Sequence, residues 1–374
     1  MNRTSFRKAL APSVAVLALS VSLTACGAGN EDSGSGSSEG GESSSGLSGT
    51  LAGGGASSQE KAQAAWRAGF QDENPDVTIN YDPIGSGDGR ANFISEAFAF
   101  AGTDSALDDD EGELSDAQAR CADGNVIQVP AYVSPIAVVY NLPGVDELNL
   151  SPETIANIFN GSITTWNDPA IAETNPDADL PDTAITPVHR QDDSGTTENF
   201  TAYLAEAGEG AWTEEPDGLW PESLGGEAAD GTSGLVGAVS GGEGTIGYAD
   251  FSAAGDLGVV NVGVGEEFTA PSAEGAAMVV ANSPAVEGAP ETDMAVELDR
   301  TTTESGAYPV LLVSYMIACE TYADEAEAEL VKEYLTYVVS EEGQQAAADE
   351  AGSAPLDPAL SEEATSLLEN ISAG

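Results

Sequence analysis

Pro187-Val-His-Arg-Gln-Asp-Asp-Ser-Gly-Thr-Thr-Glu-Asn-Phe200 is the stretch from which the chain is best understood. Val188 closes a short β-like run. Arg190 is followed four residues later by Ser194-Gly195-Thr196-Thr197, and Phe200, Tyr203 and Leu204 fall at helical spacing. The order is strand, tight loop, helix start. A helix start presents unpaired backbone N–H groups and a partial positive charge, and both favour an anion. Ser and Thr there cap the helix or donate hydroxyls to a ligand. A guanidinium adds a planar fork suited to phosphate or carboxylate. Taken alone, the same residues equally describe a capped helix beside a surface arginine.

The 374 residues suggest two domains, and 10 basic against 64 acidic side chains give a formal net charge of −54. Such a surface repels nucleic acid and excludes a DNA or RNA role. With 41% hydrophobic residues the chain can still build a core, so the acidity is a solvation device. Arg3, Arg7 and Lys8 precede an apolar run, Ala9 to Leu23, too short and wrongly flanked for an ordinary membrane span. Leu23-Thr24-Ala25-Cys26 then has the form of a bacterial lipobox, with residues 1–25 as the signal peptide and Cys26 as the lipidated residue. Cleavage there removes three basic and no acidic residues, leaving 7 − 64 = −57. Gly27 to Gly46, with seven Gly and seven Ser, is a flexible tether. Residues 26–46 thus leash the folded part to a membrane.

Leu47 to Gly55 is expected to be a short strand breaking into glycines, and Ala56-Ser57-Ser58-Gln59 to open a helix carrying Ala62, Ala65, Trp66 and Phe70. Val77 to Tyr81 alternates as a strand. It leads through Ile84-Gly85-Ser86-Gly87-Asp88-Gly89 into a helix from Arg90 to Phe98. These glycines lack the spacing of a dinucleotide fingerprint, and no Gly-Lys-Ser/Thr phosphate loop occurs. No cofactor is therefore expected. Phe98-Ala-Phe-Ala-Gly-Thr-Asp104 is an apolar run ending in a carboxylate, costly if buried unpaired. It could also be a simple turn aspartate.

Val126 to Tyr140 is a long β-like run broken by Pro130 and Pro135, and it suits a strand that leaves one domain and enters another. Ser151-Pro-Glu-Thr begins a helix with Ser at the N-cap and Pro at its first position. Trp166 centres a turn, and residues 167–183 are expected to be loop. Thr232 to Ser240 is helix-like, and the segment from Gly244 to Ala249 a strand. A strand pair and a helix are expected within 255–300. Val310 to Cys319 is apolar enough for a central strand, and Glu325 to Val339 is an amphipathic helix. Cys121 and Cys319 remain after lipidation. An exported compartment permits their disulfide, and they are expected to pair. One histidine in the chain makes a histidine-bearing metal site improbable, and no EF-hand loop is present.

Ser57-Ser58, Ile84-Gly-Ser86-Gly, Phe100-Ala-Gly-Thr-Asp104 and Arg190-Gln-Asp-Asp-Ser194-Gly-Thr196, in this order and with these separations, resemble the phosphate-binding lipoproteins of ABC phosphate importers, the PstS family. Ile163-Thr-Thr-Trp166-Asn-Asp-Pro and Gly244-Thr-Ile-Gly-Tyr add to the resemblance, which spans roughly residues 47 to 360. It implies an α/β fold, a two-lobed periplasmic-binding-protein-like clamshell of type II, each lobe a mixed sheet flanked by helices. Lobe one would be 47–132 plus 307–374 and lobe two 133–306, which puts Cys121 and Cys319 together in lobe one. It also implies a monomeric, lipid-anchored receptor facing outside the cytoplasm. Such a receptor is not an enzyme, and it serves the permease and ATPase subunits of an importer.

By the same resemblance, inorganic phosphate is held by Ser57, Ser58 (through its backbone N–H), Ser86, Asp104, Arg190, Ser194, Gly195 and Thr196, and Asp192 steadies Arg190. Phosphate near neutral pH keeps a proton, which an ionised Asp104 can accept. Sulfate has none and would set oxygen against carboxylate. The alternatives are a receptor for another tetrahedral oxyanion, a surface lipoprotein with a signalling or adhesive role, and a serine hydrolase using Ser194 with His189. Against the hydrolase, no Gly-x-Ser-x-Gly elbow exists, and His189 is better explained as a structural neighbour of the arginine.

Overall fold

The computed structural model describes residues 46–109, 112–122 and 124–374. The signal peptide, Cys26 and nearly all of the Gly/Ser tether lie outside the described residues. In chain order the strands of the main sheet are β1 (Gly49–Gly55), β2 (Val77–Asp82), β3 (Phe100–Thr103), β4 (Val126–Asn141), β5 (Leu148–Leu150), β6 (Thr186–Arg190), β7 (Glu227–Ala229), β8 (Thr245–Asp250), β9 (Gly258–Val264), β10 (Glu267–Thr269) and β11 (Leu311–Cys319). The helices are α1 (Glu60–Glu73), α2 (Ser86–Ile94), α3 (Glu113–Arg120), α4 (Pro152–Phe159), α5 (Pro169–Thr174), α6 (Gly195–Ala207), α7 (Gly231–Gly241), α8 (Ala273–Asn282), α9 (Glu325–Val339), α10 (Glu341–Ala351) and α11 (Pro358–Leu368).

Strand order runs β2-β1-β3-β11-β4-β8-β6-β7, with β9 also pairing β4, β5 and β10. The pairs at the two ends are parallel, β2 with β1 and β1 with β3 on one side, β8 with β6 and β6 with β7 on the other. The middle is antiparallel, β3 with β11, β11 with β4, and β4 with β8. One half is therefore built on β1–β3 and the other on β6–β8. β4 belongs to both: its first part pairs β11, and its last part, from Ile136, pairs β8. The sheets of the two halves are joined through this strand rather than separate.

β4 runs unbroken from Val126 to Asn141, although Pro130 and Pro135 predict interruption. The ladder absorbs Pro130 by a bulge: Ser314 pairs Tyr132 and Tyr315 pairs Pro130, leaving Ala131 as the extra residue. Pro135 sits where β4 passes from β11 to β8. β1 extends through its glycines to Gly55 instead of breaking there. The strand needs them, because a Cβ on Gly53 would sit 2.4 Å from the Phe100 ring and one on Gly55 2.0 Å from the Gly102 carbonyl. The second helix starts at Ser86, not Arg90, with Gly87 and Gly89 inside its first turns. Residues 167–183 contain α5, capped by Asp168 with Pro169 at its first position. The other expected strands and helices are found close to where the pattern puts them. The Ser151 cap of α4 accepts from the Thr154 N–H at 3.1 Å.

Leu330, Val331, Tyr334, Leu335 and Val338 of α9 are all buried, with Trp66 and Phe70 of α1. Tyr334 meets Phe70 and Phe100, each at 5.4 Å between centroids. In the other half Phe159, Phe200 and Tyr248 pack together, the last two stacked at 4.3 Å. Cys121, just after α3, and Cys319, ending β11, are joined by a disulfide with Cα atoms 5.3 Å apart.

Candidate functional site

Three loop-to-helix turns converge where the two halves meet. After β1 the chain enters a short 3-10 turn, Ser57–Gln59, before α1. After β2 it turns at Gly85, whose φ of 104° a side chain rarely adopts, into α2. After β6 it passes Asp192 and Asp193 into α6, capped by Ser194, which accepts from the Thr197 N–H at 3.3 Å. Parallel strands followed by helices put all these helix starts at one edge of the sheet, the usual place for a ligand in such folds. β3 delivers Asp104 to the same edge.

Asp104 is the centre. It is 4% exposed. Ser58 donates to its Oδ1 at 2.7 Å, Ser314 to the same oxygen at 2.6 Å, and Thr196 to Oδ2 at 2.9 Å. Its backbone N–H donates to Ser86 Oγ at 3.1 Å, and its carbonyl accepts from Asn199 Nδ2 at 2.8 Å. Burial pushes the Asp104 carboxyl up from the ordinary range. The hydroxyls of Ser314, Ser58 and Thr196 and the charge of Arg190 act against that. A carboxylate offers about four lone-pair directions, and three are used by these hydroxyls.

Arg190, 2% exposed, ends β6. Its Nε donates to Asp192 Oδ1 at 2.7 Å, and its Nη2 makes a second, very short bond to Asp192 Oδ2. The fork is thereby fixed in one plane. Burial raises the Asp192 carboxyl, but the hydrogen bond and charge of Arg190 and the Gly231 N–H at 3.0 Å outweigh it and hold the group low. Tyr248 steadies the same turn, its hydroxyl 3.3 Å from the Arg190 N–H and 2.8 Å from Thr197 Oγ1.

The halves approach closely at glycines. A Cβ on Gly195 would lie 2.7 Å from Asp104 Cβ and 2.8 Å from Ser86 Oγ, and one on Gly87 would collide with the Asp193 carboxylate at 2.1 Å. The Gly87 N–H donates to the Asp193 carbonyl at 3.3 Å.

The residues expected to hold phosphate, and Asp192 with them, stand in or beside this cluster, with two departures. Ser58 acts through its hydroxyl, on Asp104, and not only through its backbone. Ser57 is engaged with α7: its Oγ lies 2.9 Å from Thr232 Oγ1 and accepts from the Thr232 N–H at 3.3 Å. Sequence reasoning missed Thr232, Asn199, Gln59 and Ser314. Ser314 carries a usable signal, since it is the one hydroxyl in the run Val310 to Ala318 apart from Tyr315, and a buried hydroxyl needs a partner. His189 does not face Ser194: its Nδ1 is 2.9 Å from the Arg190 carbonyl, and its ring stacks on Trp220 at 4.9 Å.

The fold and this edge-of-sheet cluster define a class. A family model described as a PBP superfamily domain matches residues 40–342. Among curated relatives, phosphate-binding protein PstS2 of Mycobacterium bovis is 32% identical over 339 residues, covering 89% of this chain and 90% of that protein. Phosphate-binding protein PstS 3 of Mycobacterium tuberculosis is 35% identical over 292 residues, covering 76% and 77%. The chain belongs to the PBP superfamily and, within it, to the PstS family of phosphate-binding proteins. The same fold is seen in a high affinity periplasmic phosphate-binding protein (PfluDING) bound with phosphate, at a TM-score of 0.68, 23% identity and coverage of 84% of this chain and 92% of that one. A phosphate-binding protein from Stenotrophomonas maltophilia aligns at a TM-score of 0.65 and 21% identity, covering 85% and 93%.

Proposed function

We propose that the chain is an extracytoplasmic receptor that closes on inorganic phosphate and delivers it to an ABC phosphate importer. The observation that carries this reading is Asp104: a buried carboxylate, within the electrostatic reach of Arg190 and ringed by hydroxyls from both halves. Arg190 supplies the countercharge. Ser86 supports the Asp104 N–H and keeps its own hydrogen to donate. The N–H groups at the start of α6 add the favourable end of a helix dipole. The lone-pair direction left on Asp104 accepts the proton that phosphate retains near neutral pH. Sulfate offers no such proton and meets like charge, a difference of several kcal/mol when the group is buried.

In this reading residues 47–132 with 307–374 and residues 133–306 are the two lobes, and β4 and β11 are the strands between them. Ser57 and Ser58, from lobe one, answer Thr232 and Thr196 from lobe two across the cleft. The protein is a monomeric carrier without catalytic chemistry, tethered through lipidated Cys26. Among the described residues no hydrogen bond joins Ser194 to His189, which gives a hydrolase no nucleophile–base pair.

Calorimetric titration of the ligand-stripped protein with phosphate and then sulfate tests the reading. Tight one-to-one phosphate binding with sulfate silent is expected, and Asp104→Asn should narrow that gap. An Asp104→Asn protein with undiminished preference for phosphate would refute the role given to the carboxylate.

A further inference from the structure

Asp104 is served by a file of buried side chains that does not include Arg190. Ser314 donates to Asp104 Oδ1 at 2.6 Å. Ser314 Oγ accepts from Gln59 Nε2 at 2.6 Å. Gln59 Oε1 accepts from Gln63 Nε2 at 2.8 Å, and Gln63 Oε1 accepts from the Tyr334 hydroxyl at 2.8 Å. All four residues are fully buried. Gln59 ends the 3-10 turn that leads into α1, Gln63 lies one turn further on in α1, Ser314 is in the middle of β11 and Tyr334 on α9.

The chemistry fixes the direction of this file. An ionised carboxylate only accepts, so Ser314 donates its single hydrogen toward it and has lone pairs to receive Gln59. Two further acceptor-only groups pin the amides independently. Gln59 Nε2 also faces the Tyr315 carbonyl at 3.4 Å, and Gln63 Nε2 faces Met316 Sδ at 3.7 Å. Turning either amide over would set its oxygen against one of these acceptors. Burial keeps the Tyr334 hydroxyl protonated, and it can therefore start the file as a donor.

We propose that Tyr334, Gln63, Gln59 and Ser314 are positioning residues forming a one-way hydrogen-bond relay that holds Asp104 as an acceptor-only carboxylate and thereby sets the preference for protonated over unprotonated tetrahedral anions. The proposal rests on the phosphate reading above and deepens it. Burial works to protonate Asp104, and the Ser314 hydrogen bond is the foremost influence against it. A protonated Asp104 becomes a donor and loses its reason to reject sulfate. Ser58 beside α1 and Thr196 on α6 also donate to it, and Arg190 on β6 and Tyr81 on β2 interact with it through charge. Tyr81 is kept neutral by burial and by Asp104 itself. Glu198 of α6 stands one residue further out, taken up by Ser105. Of these, only Arg190 supplies a positive charge, so a lost hydroxyl must register in the titration of the carboxyl.

The test compares native protein, Ser314→Ala and Tyr334→Phe by titration with phosphate and with sulfate between about pH 5 and about pH 8, a range above the ordinary carboxyl pKa. In Ser314→Ala the pH below which phosphate is no longer preferred should rise, because the carboxylate loses a hydrogen bond that favours its charged form. Tyr334→Phe should move it the same way by less. A merely structural role would lower thermal stability and leave the pH profile in place. Folded variants with the native profile and the native phosphate-to-sulfate ratio overturn the relay alone. A native protein indifferent to phosphate overturns the receptor reading, and the relay's role with it. Should Ser314→Ala not fold, Tyr334→Phe decides, since it removes one oxygen and leaves the packed ring in place.

Discussion

Arg190 and Asp192 show how much a short interval of sequence can carry. Two residues apart at the end of a strand, they form a bidentate pair whose plane is set by the carboxylate. Asp192→Ala leaves the guanidinium buried but unoriented. Phosphate binding measured by calorimetry should weaken by about 10- to 100-fold, the equivalent of roughly 1.5–3 kcal/mol for a charge-assisted bond. Asp250 makes a different case. It is fully buried, accepts from Tyr132 and Ser252, and burial pushes its carboxyl up to about 6 from 3.8 despite those bonds. A raised acid binds its proton more tightly folded than unfolded. Its contribution to stability is therefore greatest below about pH 4 and declines as pH rises to about 6, by roughly 3 kcal/mol in all. Asp250→Asn should flatten that part of the stability–pH curve in denaturant titrations. An unchanged slope would mean that another group titrates there. At this scale an anion site was legible, because Ser and Arg in glycine-rich turns at helix starts favour one, while the ligand set itself was implied by the family resemblance. Ser314, Gln59 and Thr232 were not, because their partners lie 175 to 255 residues away in sequence and nothing local marks the pairing.

Among the elements, α9 and β11 were plain from their patterns, a helical apolar face and an unbroken apolar run. The misjudged segments share a cause. Pro130 and Gly53 to Gly55 carry local signals against a strand, and tertiary packing overrides them: a bulge accommodates the proline, and close contact with Phe100 and Gly102 requires the glycines. The start of α2 was displaced because Gly87 and Gly89 have poor helix propensity, whereas their small size is what this contact needs. The Cys121–Cys319 bridge fastens the end of β11 to the end of α3 over a separation of 198 residues. A Cys121→Ser, Cys319→Ser double variant should lose about 2–5 kcal/mol in equilibrium unfolding, with phosphate affinity little changed because the bridge is remote from Asp104. A large loss of affinity would show that the bridge shapes the cleft.

For the whole molecule, the charge of −54 and the cleft act on different steps. The overall field repels an approaching anion but is screened beyond about 8–10 Å at ordinary salt. Stopped-flow capture of phosphate should quicken as ionic strength rises, and release should hold nearly constant. An association rate indifferent to salt would mean that the field is already neutralised near the cleft. In the receptor reading proposed above, closure depends on bare backbone at the meeting surfaces. Gly87→Ala puts a methyl where Asp193 now sits, so the variant should keep its thermal stability yet bind phosphate more weakly and contract less on ligand addition in small-angle scattering. The two-half plan was suggested by chain length and implied by the family resemblance. The run Val126 to Tyr140 already suits a strand passing from one half to the other; what its two prolines concealed is that it stays a single unbroken strand.

The placement of β11 bears on how the molecule comes into being. It is the last strand of the main sheet along the chain, yet it lies between β3 and β4. A ribosome releasing the chain from its N-terminus leaves both neighbours with unpaired edges until residue 319 has emerged. The relay to Asp104 and the bridge to Cys121 also await that strand. Maturation of the cleft is thus tied to completion of the polypeptide, and a nascent chain lacking its last quarter cannot assemble the site prematurely.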